Sequence, residues 1–211
     1  MRNAPPISRT TSRSAADWIA PPVRSAVADL LADLARAFDA LGIPWYLFGA
    51  QAAIVYGVAR LTADVDVTVR PPATPTGDWL AALEQYGFER RFADPAFVDQ
   101  TRVLPVVHIG TGLPVDIVLA GPGLEEDFLR RAVVQSIDGV PVPVVEIADL
   151  VTLKIFAGRP KDLEDVVTLL RVHGDGIDAD RVRTVLARLE DALGQSDLLA
   201  AFEQARTRAR D

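Results

Sequence analysis

The stretch "ADVDVTVR", Ala63 to Arg70, places two carboxylates one residue apart inside a β-branched run. The strict alternation reads as a strand, so Asp64 and Asp66 share one face while Val65 and Val67 take the other, with Cα atoms of like-facing residues ~6.5–7 Å apart. Two carboxylates on one face repel, and removal from water raises the cost. Something positive must compensate. A divalent cation is the natural partner, because hard oxygen donors suit Mg²⁺. An isolated D-x-D on an exposed edge strand would be no more than two solvated acids. A third acid changes that reading. Asp116 lies in "PVDIVL", again amid apolar strand residues, and a neighbouring strand would bring it to the same cluster. Three carboxylates are what two-metal phosphoryl chemistry needs: ions ~3.5–4 Å apart activate an attacking hydroxyl and steady the leaving pyrophosphate. One carboxylate also accepts the proton of the nucleophile.

The rest of the chain supplies a frame for those strands. "VRSAVADLLADLARAFDALG" (Val23 to Gly42) carries apolar residues at helical spacing and ends on a glycine suited to a C-cap. A buried strand over Ile43 to Phe48 and a short helix over Ala50 to Gly57 follow, then the acidic strand, a loop at "PPATPTG", and a helix over Asp78 to Gly87. "TRVLPVVHI" and "LPVDIVLA" flank Gly110 to Gly112 as a hairpin, and a short helix lies near "LEEDFLRRAV". A second hairpin turns on Asp138-Gly139, and Pro141 and Pro143 demote its second strand to a sheet edge. From Ile147 four segments are helix-patterned. The expected fold is α/β (α+β): a mixed sheet flanked by helices, then a C-terminal helical unit. The expected divisions are a loose segment at 1–22, a sheet domain at 23–146 and a helical region at 147–211 packed on it.

Composition excludes more than it selects. The chain of 211 residues is 49% hydrophobic, enough for a real core, and contains no cysteine, which removes disulfides, thiolate metal sites and thiol catalysis together. No apolar run approaches the ~20 residues that span a bilayer, and the first residues lack the apolar core of a secretory signal. A cytoplasmic protein with no membrane partner is expected. The net charge of -7 argues against broad nucleic-acid binding and leaves room only for a local basic patch.

Gly49 ends the strand at Phe48 and opens the following helix, where a phosphate can approach the backbone and free N–H donors are available. Together with the acids, it makes the sequence resemble the nucleotidyltransferase superfamily, the fold shared with DNA polymerase β. Gly49 and Ala50 stand where that superfamily has Gly-Gly or Gly-Ser, Asp64 and Asp66 stand for its D-x-D, and Asp116 for its third carboxylate. The closer resemblance is to the AbiEii-like toxin nucleotidyltransferases of type IV toxin–antitoxin systems. Gly57, Arg60 and Thr62 in "YGVARLTADVD" are shared with them, as are Lys154, Arg159, Lys161, Asp162 and Asp165 in "LKIFAGRPKDLEDVVTLL". The resemblance runs from about Trp45 to Leu170. One departure is Ala50, which keeps the N–H but offers neither a hydroxyl nor a second glycine's freedom.

The resemblance implies transfer of an NMP from an NTP to a hydroxyl acceptor, with pyrophosphate released. Asp64, Asp66 and Asp116 would hold two Mg²⁺ ions, which Mn²⁺ can replace, and Asp116 would also orient or deprotonate the acceptor. Gly49 and Ala50 would cradle the triphosphate, helped by Arg60 and Lys154, with Thr62, Arg159, Lys161 and Asp162 also substrate-binding. The implied partners are an NTP, an acceptor (a tRNA end or a small molecule) and a cognate antitoxin protein. For Asp162 and Asp165 a structural role stands beside a direct one: Asp162 complements a helix dipole, and Asp165 can pair with Lys161 one turn away. Two other readings stay open: modification of an antibiotic or other small molecule, and an inactive domain that binds nucleotide or protein. Trp45 and Tyr46 read as core, His173 as a favourable cation at a helix end, and His108 as unsuited to a metal site with only two histidines in the chain.

Overall fold

The computed structural model describes residues 24–72, 76–91 and 95–211. The expected loose segment at 1–22 and the middle of the "PPATPTG" loop lie outside the described residues.

Helix α1 (Ala26–Leu41) starts where the Ser25 hydroxyl accepts the Ala28 N–H and stops where Gly42 turns left-handed at φ 64°. Its buried stripe, including Leu30, Leu31, Leu34 and Phe38, faces the core. Strand β1 (Trp45–Phe48) leads into α2 (Gly49–Val55) and returns as β2 (Val65–Val69), antiparallel to β1. Then come α3 (Thr76–Glu84), β3 (Phe88–Arg90), α4 (Pro95–Thr101), and the hairpin of β4 (Val103–His108) and β5 (Pro114–Leu119). Helix α5 (Leu124–Arg131) precedes the hairpin of β6 (Val133–Ile137) and β7 (Val140–Val144). The chain ends in α6 (Ile147–Ala157), α7 (Pro160–His173), α8 (Ala179–Leu193) and α9 (Leu198–Arg210).

The seven strands form one mixed sheet in the order β3-β4-β5-β2-β1-β7-β6. Trp45 and Tyr46 are buried in its core, as their apolar bulk requires. Helix α1 packs on β7 and reaches across to β4, where Asp33 meets the buried His108 imidazole at 3.0 Å. His108 is thus an anchor between helix and sheet.

The structure differs from the sequence expectation in three respects. β3 and α4 were not expected, because three strand residues and seven helical ones carry too little periodicity to register. The helix expected over Asp78 to Gly87 ends at Glu84, and Gly87 at φ 83° instead starts β3. The third concerns the prolines: β7 is an interior strand between β1 and β6, and β6 is the edge. Asp138 and Gly139, both with positive φ, make a two-residue turn, so the flanking pair Ile137·Val140 exchanges hydrogen bonds. Pro141 and Pro143 oppose Ser136 and Val134, which are then the non-hydrogen-bonded pairs. Their missing N–H groups point towards β1, whose pairing begins only at Leu47·Val144. The prolines therefore cost the β6·β7 ladder nothing, and their missing donors fall on the β1 side.

The junction between sheet and helices is set by one ion pair. Asp149, completely buried in α6, accepts two bonds from the Arg131 guanidinium at the end of α5, at 2.8 and 3.0 Å. A buried carboxylate left without its partner is strongly destabilising. Arg131→Ala should therefore lower the unfolding free energy by ~3 kcal/mol in urea titrations; a change below ~1 kcal/mol would show that Asp149 finds another partner.

Candidate active site

The site begins with a missing side chain. Gly49, the first residue of α2, has φ 69°, and a Cβ there would lie 2.1 Å from Asp66 Oδ2. Only glycine permits both the left-handed backbone and the approach. That approach lets the Ala50 N–H donate to the Asp66 carboxylate. In this structure the Ala50 donor faces Asp66, at the start of an α2 only seven residues long, and Ala50 also lines the cavity described below.

β2 and β5 are parallel neighbours in a register that sets Asp66 directly beside Asp116. Adjacent strands lie ~4.8 Å apart, so these carboxylates share a face at close range. Asp64, just before β2, is exposed, and its N–H is donated to the Thr62 hydroxyl. Burial, with the negative charges of Asp116 and Asp64 acting in the same direction, outweighs the Arg159 charge and the Ala50 N–H and raises the Asp66 pKa to about 6. Asp116 is half-exposed, and its Oδ1 lies 3.4 Å from Arg91 Nη1.

These carboxylates line a cavity of about 160 Å³ together with Ala50 and Thr62. Asp162 and the cations Arg60, Arg159 and Lys161 complete its lining. Nearly all residues singled out from the sequence therefore converge on one hollow that carries both signs of charge. Lys154 is placed elsewhere. It is buried, with Nζ 2.7 Å from Asp165 and 3.4 Å from Asp162. Asp165 in turn holds Arg60 Nη1 at 2.5 Å, and Asp162 binds Arg159. Asp165 thus pairs with Lys154 and Arg60, not with Lys161 as the helical spacing suggested. The reason is distance from water: a buried lysine needs carboxylates around it, and the nearest come from the first turns of α7. Burial alone would raise the Asp162 pKa, but the Arg159 hydrogen bond and the Lys154 charge outweigh it and hold it below the ordinary value. The result is a chain of alternating charge, Arg60–Asp165–Lys154–Asp162–Arg159, joining the loop before β2 to α6 and α7.

Among the described residues, no group of three or more His, Cys, Asp or Glu side chains is already set to hold a metal ion. The donor chemistry nonetheless fits one. The groups are hard oxygens, and their mutual repulsion is under-compensated at Asp66. Mg²⁺ is commonly bound by one or two carboxylates completed by substrate phosphates, not by a protein cage. Arg91 was missed from the sequence. Its signal is visible only through register: its N–H binds the Pro105 carbonyl, and Pro105 stands opposite Asp116.

A family model described as "Nucleotidyl transferase AbiEii toxin, Type IV TA system" matches residues 29–211. The chain belongs to the AbiEii nucleotidyltransferase family. Among solved structures, this AbiEii-family chain is similar to the antibiotic-resistance factor ANT(2'')-Ia in solution, with TM-score 0.55 and 17% identity over 80% of this chain and 93% of that one. It is also similar to an antigenic nucleotidyltransferase-like protein from Paracoccidioides brasiliensis, with TM-score 0.53 and 18% identity over 84% and 92% of the two chains. At these identities the likeness is one of fold. No curated protein matches the AbiEii-family chain in sequence. No helix among the described residues is long and apolar enough to cross a membrane.

Two predictions follow from the electrostatics. In metal-free buffer, the folded state binds the Asp66 proton more tightly than the unfolded chain, so the stability Asp66 contributes is fully present below about pH 4 and lost as pH rises through about 6. Asp66→Asn should remove that decline. Its stability advantage over wild type should grow by on the order of 2 kcal/mol between pH 4 and pH 7, read from urea midpoints; an advantage independent of pH would contradict the raised pKa. Asp165→Ala strips Lys154 and Arg60 of a shared partner and should cost ~3 kcal/mol in the same titrations. A near-neutral effect would mean that Asp162 alone satisfies Lys154.

Proposed function

We propose that this AbiEii-family nucleotidyltransferase transfers an NMP from an NTP to the terminal hydroxyl of an RNA, with tRNA ends as the acceptor, in a Mg²⁺-dependent reaction. The pairing of Asp66 with Asp116 across adjacent parallel strands, facing cations in one cavity, is the observation that carries the reading. The sheet unit 23–146 supplies the carboxylates, and the helical unit 147–211 supplies Arg159 and Lys161. In the cell, the family supports a toxin role in the cytoplasm, held in check by a cognate antitoxin.

The acceptor oxygen attacks the α-phosphorus and the α–β phosphoanhydride bond breaks, releasing pyrophosphate. Asp116, the more exposed of the strand-paired carboxylates, receives the hydroxyl proton. Asp64 and Asp66, with Asp116, would hold Mg²⁺, which when bound lowers the pKa of the attacking hydroxyl and stabilises negative charge on the leaving group. Lys161 lines the cavity outside the α7 ion-pair chain and binds phosphate oxygens; Arg60 and Arg159, oriented by Asp165 and Asp162, add charge at its rim. Lys154 acts indirectly, by holding both of those aspartates. A cavity of about 160 Å³ falls below the ~300 Å³ typical of pockets that enclose a whole ligand. It suits a polyphosphate, with the nucleoside and acceptor lying across its mouth.

The test is incubation with Mg²⁺ and each labelled NTP, with total RNA, an aminoglycoside or no acceptor. Label on RNA is expected. Label on the aminoglycoside alone would assign a small-molecule substrate instead, and label nowhere would leave a nucleotide- or protein-binding domain. Asp64→Asn should abolish transfer while leaving the thermal midpoint equal or higher, because like-charge repulsion is relieved. Undiminished transfer by that variant would refute the role of Asp64.

A further inference from the structure

One cation sits at the carboxylate cluster without belonging to the motifs described above. Four strands are in register across this part of the sheet. Asp66 in β2 opposes Asp116 in β5, and Asp116 opposes Pro105 in β4. The Pro105 carbonyl accepts the N–H of Arg91, the residue after β3. Directly opposed residues put their side chains on one face, so this row runs acid, acid, proline, with an arginine beyond it. The proline ring offers no polar group to intercept the arginine. The guanidinium reaches past it, and Nη1 lies 3.4 Å from Asp116 Oδ1.

We infer that Arg91 is a positioning residue for Asp116, a stand-in cation that orients and neutralises the third carboxylate until a metal ion takes its place. This rests on the carboxylate cluster being a metal site, as proposed above. Three features of the contact suit that role. It lies at the end of the row opposite the Gly49–Asp66 contact, so Asp66 is met by the backbone and Asp116 by a side chain. Both partners are partly open to water, with Arg91 39% and Asp116 44% exposed, so the pair is weak enough to be exchanged. Arg91 also follows the last residue of an edge strand only three residues long, at the open border of the sheet. Of the three acids, Asp66 is met by the Ala50 N–H and the Arg159 charge. Asp116 is met by Arg91. Without it, the repulsion between the two adjacent strand carboxylates would meet no other cation contact to Asp116 among the described residues.

The experiment measures Mn²⁺ binding to the nucleotide-free protein by electron paramagnetic resonance, with no turnover involved. Arg91→Gln removes the competing charge and should tighten Mn²⁺ binding about two- to fivefold, the range expected for an exposed ion pair. Arg91→Lys keeps the charge and should bind like wild type. In an Asp116→Asn background, Arg91→Gln should have no effect, because the group that links them is gone. Equal or weaker binding by Arg91→Gln overturns the inference, as does a lysine variant that binds as tightly as the glutamine one or an effect that persists with Asn at 116. If wild type binds Mn²⁺ and Asp64→Asn weakens it, the metal reading stands whatever Arg91 does. If no variant binds Mn²⁺, both fall.

Discussion

The site depends on one contact that a single methyl group would abolish. Asp66 reaches the turn between β1 and α2 because Gly49 has no side chain, and the Ala50 N–H meets it there. The other two motif acids take their places beside that carboxylate: Asp116 by strand register, Asp64 from the residue just before β2. The arrangement is electrostatically uncomfortable, as the elevated Asp66 pKa records, and the sheet imposes it because hydrogen-bonded register leaves the strands no choice.

A second device holds the opposite side of the cavity. Lys154 is buried in α6 and would be ruinous alone. Two aspartates from the first turns of α7 surround it, and each holds an arginine at the cavity rim. The buried lysine thus fixes the rim arginines without touching the cavity itself. The chain belongs to the AbiEii nucleotidyltransferase family and shares its fold with ANT(2'')-Ia.

Much of this was legible in the sequence, for local reasons. Alternation at residues 63–70 marks a strand, which forms over Val65–Val69 with Asp64 just outside it; aspartates among valines signal a carboxylate cluster. The mixed sheet and the C-terminal helices follow from the hydrophobic periods. What was hidden depends on partners distant in the chain. Whether Lys154 snorkels or is buried turns on where α7 lands, not on the residues beside it. Pro141 and Pro143 suggest an edge, and only the hairpin register shows that their bare nitrogens face away from β6. Arg91 is invisible until β3, β4 and β5 are laid side by side. The short β3 and α4 carry too few residues to announce themselves.

The parallel pairing of β2 with β5 carries a consequence in time. A parallel connection needs a long crossover, and here the two facing aspartates are separated by the whole of α3, β3, α4 and β4. Contacts that close such large loops form late, after local helices and hairpins. A chain emerging from the ribosome can complete β1, α2 and β2 with its D-x-D in place and still lack the strand that bears the third carboxylate. The nascent polypeptide lacks its facing pair of strand carboxylates until the centre of its sheet closes.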